Sequence, residues 1–179
     1  MSKQIAFLRA INVGGRRIKM NELKMVFEEA GLLDVQTFLA SGNVVFDTTA
    51  EGLSCLEEKL EQAISKKFGF ESQVMVRSME EIQTVQAYEA FPTADIEKAG
   101  AYNVAFLKNK ISAEAQEKLM ALENELDRFH VYGKEVYWLC AVKQSESKFS
   151  NTVLEKTVQM PSTMRGINTI DKLIIKLLS

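Results

Sequence analysis

The chain has 179 residues, 46% hydrophobic and 26% charged, with a formal charge of −2. That is enough apolar material for one large domain or two small ones, and too little positive charge for a general nucleic-acid coat. Cys55, Cys140 and the single histidine, His130, give neither a disulfide framework nor a zinc set, so buried free thiols in a reducing cytoplasm are expected, with no cofactor and no metal. Lys3, Arg9 and Asn12 interrupt the only early apolar run, and nothing approaches the ~20 apolar residues of a membrane span. The expectation is a cytoplasmic protein with no membrane partner.

In chain order, Ile5 and Phe7 alternate within residues 4–8 and predict a buried strand. A loop over 11–19 follows, then a helix capped by Asn21, with Leu23, Val26, Phe27 and Ala30 at helical spacing and Gly31 at its end. Residues 35–40 and 44–47 predict a hairpin turned by Ser41-Gly42-Asn43. Leu53, Leu56, Leu60, Ala63 and Ile64 mark one face of an amphipathic helix ended by Gly69, with Glu57, Glu58 and Glu61 as a solvated face. Residues 73–77 predict a fourth strand. The order β-α-β-β-α-β is the split unit of ferredoxin-like folds.

A short helix over 79–86 and a connection containing Pro92 lead to a second pass. It comprises a strand at 102–107, then a helix capped by Ser112 with Ala115, Leu119, Leu122 and Leu126. A hairpin of 129–132 and 136–141 around Gly133-Lys134 follows, then a helix over 150–158. Beyond Pro161, a last helix carries Ile170, Leu173, Ile174 and Leu177 on one face. The repetition is one of element order rather than residue identity. The expected fold class is α+β: two packed ferredoxin-like (split β-α-β) halves with antiparallel sheets and a C-terminal helix. The halves are residues 1–87 and 101–179, joined by 88–100.

Charge is uneven along the chain. Lys3, Arg9, Arg16, Arg17, Lys19 and Lys24 face only Glu22 before residue 27, after which acids dominate to residue 62. Arg9-Ala10-Ile11-Asn12 and Arg165-Gly166-Ile167-Asn168 each set a guanidinium and a carboxamide together in what reads as the exit from a strand. Gly14 and Gly15 permit positive φ, so successive amides can converge on an anion; Arg16 and Arg17 add attraction and Arg9 a planar fork. The loop also leads into a helix N-terminus. The plainer alternative is a connection that needs its glycines to turn. Ser41 and Asn43 fit a hairpin turn first and a site second. Arg165, with Thr163, Asn168, Thr169 and Lys172, forms a second polar set, the plainer alternative being that Thr169 or Asn168 caps the last helix. The candidate ligand-binding residues are therefore Arg9, Asn12, Gly14, Gly15, Arg16, Arg17, Ser41, Asn43 and Arg165.

No catalytic residue stands out. His130 alternates with Phe129 and Val131 in a strand, no paired carboxylates are evident, and neither a Walker A nor a dinucleotide fingerprint is present. Three readings follow. The first is binding of a small phosphorylated or nucleotide-like anion. The second is single-stranded nucleic-acid binding by the basic loop with Tyr132, Tyr137 and Trp138. The third is a structural or protein-partner role with Arg9 and Arg165 as internal clasps. An enzyme acting on phosphate esters ranks last, for want of a general base.

Three stretches carry a family resemblance: residues 7–15 (Phe7-Leu8-Arg9-Ala10-Ile11-Asn12-Val13-Gly14-Gly15), Met20 with Leu23, and residues 39–46 (Leu39-Ala40-Ser41-Gly42-Asn43-Val44-Val45-Phe46). Together with Thr163, Arg165 and Lys172-Leu173, they resemble the bacterial family named domain of unknown function 1697. The resemblance implies an α+β protein of two ferredoxin-like parts and no established activity. Family members often carry Asn-Trp after the C-terminal arginine; Gly166 and Ile167 stand there in this chain, so no stacking or hydrogen-bonding role of that pair carries over.

Overall fold

The computed structural model describes residues 1–50 and 52–178. The chain divides into two units, Met1–Ile82 and Gln83–Ser179. The first contains β1 (Ser2–Leu8), α1 (Met20–Glu29), β2 (Leu33–Phe38), β3 (Asn43–Thr48), α2 (Leu53–Phe68) and β4 (Val74–Ser78), and α3 (Met79–Ala87) carries the chain into the second. Its sheet has the order β2-β3-β1-β4, all antiparallel, which is the ferredoxin-like arrangement. Period-two alternation sends Ala6, Leu8, Val44, Phe46, Val74 and Val76 to the helical side, where they pack with Leu23, Phe27, Leu60 and Ile64. The opposite face, with Ile5, Phe7, Val45 and Met75, is also buried.

The edge strand β4 is sealed by α2. Glu57 Oε1 accepts from the Val76 amide at 2.7 Å and Glu61 Oε1 from the Val74 amide at 2.8 Å. Four helical residues rise about 6 Å and two strand residues span about 6.6 Å, so an i, i+4 acid pair matches alternate amides of the strand. Glu57 and Glu61, expected on a solvated face, thus close a sheet edge, and Glu57 is buried.

The second unit contains α4 (Thr93–Lys98), β5 (Ala101–Leu107), α5 (Ala113–Met120), β6 (Asp127–Tyr132), β7 (Glu135–Cys140), α6 (Asn151–Val158), β8 (Ser162–Gly166) and α7 (Ile167–Leu178). Its sheet, β6-β7-β5-β8, repeats the first in order and direction. The ladders put Ile5 opposite Arg77 and Val104 opposite Arg165, and Phe7 opposite Asn43 and Phe106 opposite Glu135. Aligned in this way, Ile5-Ala6-Phe7-Leu8-Arg9 falls on Val104-Ala105-Phe106-Leu107-Lys108, and Phe46 falls on Trp138. On the first strand three of these five residues are identical, a local repeat that the sequence expectation did not include. Loops of unequal length shift the offset between equivalent strands and hide the match.

Other differences from expectation have local causes. α1 begins at Met20 with Lys19 as its cap and no side-chain cap bond, so Asn21 lies inside the first turn. Leu39 and Gly42 take left-handed φ of 59° and 80°, placing the turn at 39–42 and Asn43 in β3. Ser112 does cap α5, accepting from the Ala115 amide at 3.1 Å, but the helix stops at Met120. Asn124 Oδ1 takes the amides of Leu126 and Asp127, a local bond that competes with continued helix and leaves Leu122 and Leu126 exposed. The stretch 165–168, read as a strand exit, does leave a strand, β8, which was not among the predicted elements, and the connection 88–100 contains α4. Cys140 is buried as expected; Cys55 is exposed.

Candidate functional site

The loop after β1 is built from its base upward. The backbone of Arg9 runs on beside the residues before β4, its amide donating to Gln73 O at 2.9 Å and its carbonyl accepting from Ser72 Oγ at 2.8 Å. Ala10, at φ 52°, turns the chain so that Ile11 enters the core. A Cβ on Gly42 would lie 2.7 Å from Ile11 Cγ2, so the hairpin turn needs glycine for its close approach as well as its φ. Asn12 then closes the loop: its Oδ1 accepts from the Ile18 amide at 2.6 Å and its Nδ2 donates to Ala40 O at 2.9 Å. Asn43, fully buried, donates from Nδ2 to Phe38 O at 2.8 Å and to Ser41 Oγ at 2.9 Å. The structure therefore brings Asn12, Ser41 and Asn43 together, with both polar ends of the Asn12 carboxamide bonded within the chain.

Above this base, Val13, Gly14, Gly15, Arg16 and Arg17 project into solvent. Gly14 and Gly15 have φ of 61° and 85°, and no atom lies within 4 Å of a Cβ at either position, so their need for glycine is conformational alone. Gly14 and Gly15 are both left-handed, whereas Val13 and Arg16 are not. The Arg16 amide bonds to Val13 O at 3.2 Å. Among the described residues, the amides of Gly14, Gly15 and Arg17 take no acceptor. The Arg16 guanidinium lies 4.3 Å from the centroid of the half-buried Phe70 ring. Segment 70–73, which thus meets the loop at Phe70, Ser72 and Gln73, also walls an open cleft of about 450 Å³. Glu61, Gln62, Ser65 and Lys66 of α2 form its other side, so that two acids, Glu61 and Glu71, line it with one base.

Arg165 is 8% exposed and lies in β8, where its Nη1 donates to Thr163 Oγ1 at 2.7 Å and to Met164 O at 2.8 Å. Burial holds its pKa down to about 10. Its counterpart in the first unit is Arg77, whose Nη1 donates to Val76 O at 2.9 Å. Arg9 instead aligns with Lys108, so the two Arg-x-x-Asn tetrapeptides occupy non-equivalent places in the repeat.

Tyr137 and Trp138 are both fully buried; of the hairpin aromatics only Tyr132 is exposed, at 43%. Sequence reasoning missed two clusters here. Tyr88, from the connection, stacks on Tyr132 with centroids 4.0 Å apart and shares a 2.7 Å hydrogen bond with His130 Nε2. Asp127, also buried, accepts from the Trp138 indole and from Ser147 Oγ, each at 2.8 Å. Burial pushes the Tyr102 hydroxyl up to about 12 and raises that of Tyr137 further. The only advance signal was compositional: all four tyrosines lie in the second unit. Among the described residues no group of three His, Cys, Asp or Glu side chains could hold a metal ion, and no helix is long and apolar enough to cross a membrane.

A family model described as a protein of unknown function (DUF1697) matches residues 1–137. The structure is similar to that of the conserved bacterial protein SP0830 from Streptococcus pneumoniae, with a TM-score of 0.80 and 20% identity, covering 100% of this chain and 99% of that one. At that identity the likeness speaks for the fold. No curated protein matches the chain.

Proposed function

The chain belongs to the family of proteins of unknown function DUF1697, and on that footing we propose that it binds a small phosphorylated or nucleotide-like anion at the loop over residues 13–17. The observation that carries the reading is the pair of exposed amides at Gly14 and Gly15, unspent within the chain, beside the guanidinium groups of Arg16 and Arg17. In this assignment the phosphate sits on the loop and the polar body of the ligand reaches the neighbouring cleft, where Gln62, Ser65 and Ser72 offer hydrogen bonds. Arg9 borders the site through its backbone. Asn12, Ser41 and Asn43 hold the loop's base rather than the ligand. Arg165 acts as an internal clasp of the second unit, with Arg77 its equivalent in the first.

The second unit favours this reading by contrast, since it crosses from β5 to α5 with only residues 108–112. The extra length after β1 is not required by the fold. The test is a thermal-shift series with inorganic phosphate, a nucleoside monophosphate, a sugar phosphate and a short single-stranded oligonucleotide at two salt concentrations. A saturable rise with a small phosphate compound, lost in Arg16→Ala/Arg17→Ala, is the expected result. A shift with the oligonucleotide alone, falling steeply with salt, would instead make the loop a nucleic-acid contact, with Phe70 beside it. No shift with any compound, or a shift that survives the double substitution, overturns the assignment.

A further inference from the structure

We propose that the groove between α1 and α2 binds a medium-chain fatty carboxylate. This site is separate from the loop and shares only Lys66 with the cleft beside it. Its floor is small and apolar, formed by Val26, Ala30 and Ala63, and its rim carries Lys59, Lys66 and Lys67 against the single acid Glu29. The cavity is about 410 Å³, within the range that small ligands occupy. A second hollow of about 290 Å³ shares Ala30 and Lys59 with it and is mixed in character, with Thr48, Thr49 and Cys55 beside Leu32 and Leu56.

The three lysines are not alike. Lys59 Nζ donates to Ala30 O at 2.7 Å, so its charge serves the C-terminus of α1 and its aliphatic stem lines the groove. Lys66 and Lys67 are exposed in the last turn of α2, and among the described residues neither makes an ion pair. The groove therefore has cationic heads at one end and, leading away from them as far as the Lys59–Ala30 hydrogen bond, an apolar track of Val26, Ala30 and Ala63. From Lys67 back to Lys59 is about 12 Å along the helix. A carboxylate with an unbranched apolar tail matches that polarity. A neutral amphiphile leaves the lysines unpaired, and an inorganic anion leaves the track empty.

The probe is dodecanoate below its micelle concentration, with octyl glucoside as the neutral control, read by amide chemical-shift mapping of the full chain. Expected are saturable changes at Val26, Ala30, Ala63 and Lys67 with dodecanoate and none with octyl glucoside. Lys67→Glu, at an exposed position, should weaken the affinity about fivefold or more. Ala63→Glu, which fills the floor with an anion, should abolish binding. Equal changes with both amphiphiles, changes confined to residues 13–17, or an affinity untouched by Lys67→Glu would overturn the proposal. Binding of an acidic helical peptide in the groove without any of dodecanoate would also overturn it, assigning the groove to a protein partner. Phosphate binding at the loop is lost in the Arg16 and Arg17 substitutions and not in Lys67→Glu, so the two proposals fail separately.

Discussion

The two halves solve one structural problem with matching parts and then part company at one loop. Each places its first strand between its third and fourth, and each has an arginine in the last strand whose guanidinium bonds the preceding carbonyl. Each seals its edge strand with residues four apart on a helix: Glu57 and Glu61 take the amides of Val76 and Val74. In α6, Glu155 takes the Ser162 amide and Asn151 donates to the Ser162 carbonyl. Past Leu8 and Leu107 the likeness ends. The second half turns directly into α5, whereas the first builds a projecting loop pinned by Asn12. What is duplicated is what the sheet requires; what is not duplicated is where a ligand function is to be sought.

The strongest way to break the comparison is in the matched cores. Phe46→Ala and Trp138→Ala should each lower stability by about 3–5 kcal/mol in chemical denaturation. Trp138→Ala should be the worse of the two, because it also strips the indole donor from buried Asp127. Equal or reversed costs would mean that the two positions are not energetic equivalents. Next in size are the edge clasps. Glu57→Ala and Glu155→Ala each leave a strand amide without its acceptor and should cost about 1–3 kcal/mol, with a Gln replacement recovering part of the loss. A surface acid would show no such rescue.

Asn12→Ala should cost about 1–2 kcal/mol and speed hydrogen exchange at the Ile18 amide, a change with no counterpart in the shorter loop of the second half.

Alkaline sensitivity should also separate the halves. Tyr102 has a pKa pushed up to about 12 in the folded chain, against about 10 unfolded. Its stabilising contribution is full below about pH 10 and is lost as pH rises towards 12, because the unfolded chain releases that proton first. Tyr102→Phe should flatten this fall. The difference between parent and variant melting curves isolates it from the opposite drift contributed by Arg165, whose pKa is lowered. The smallest expected effect is at the loop tip: Arg16→Ala/Arg17→Ala should change stability by no more than about 0.5 kcal/mol while removing the anion response.

Most elements were legible from the sequence because their signals are local. Alternation marks Ile5 and Phe7, helical spacing marks α2, and Gly31 and Gly69 end helices where a left-handed residue is needed. The candidate loop was legible for the same reason, since Gly14, Gly15, Arg16 and Arg17 adjoin in sequence. Glu57 and Glu61 were misread because an acid on an exposed helical face and an acid clasping a strand have the same spacing. Only the position of β4, set by pairing with β1, distinguishes them. Leu122 and Leu126 looked like a continued helix because the side chain that stops it, Asn124, acts through a bond to its own neighbours.

What the sequence by itself determined is the α+β alternation, the antiparallel hairpins and a basic, glycine-bearing loop, since backbone preference and side-chain periodicity act within a few residues. Only the tertiary structure decided which polar groups were already spent. It committed Asn12 and Asn43 to holding the turn and Arg165 to its own strand, and left the amides of Gly14 and Gly15 open. For Asn12 the physical reason is that its partner Ala40 lies 28 residues away, a distance no local pattern encodes; for Asn43 and Arg165 it is burial, which turns each side chain onto acceptors of its own strand or turn.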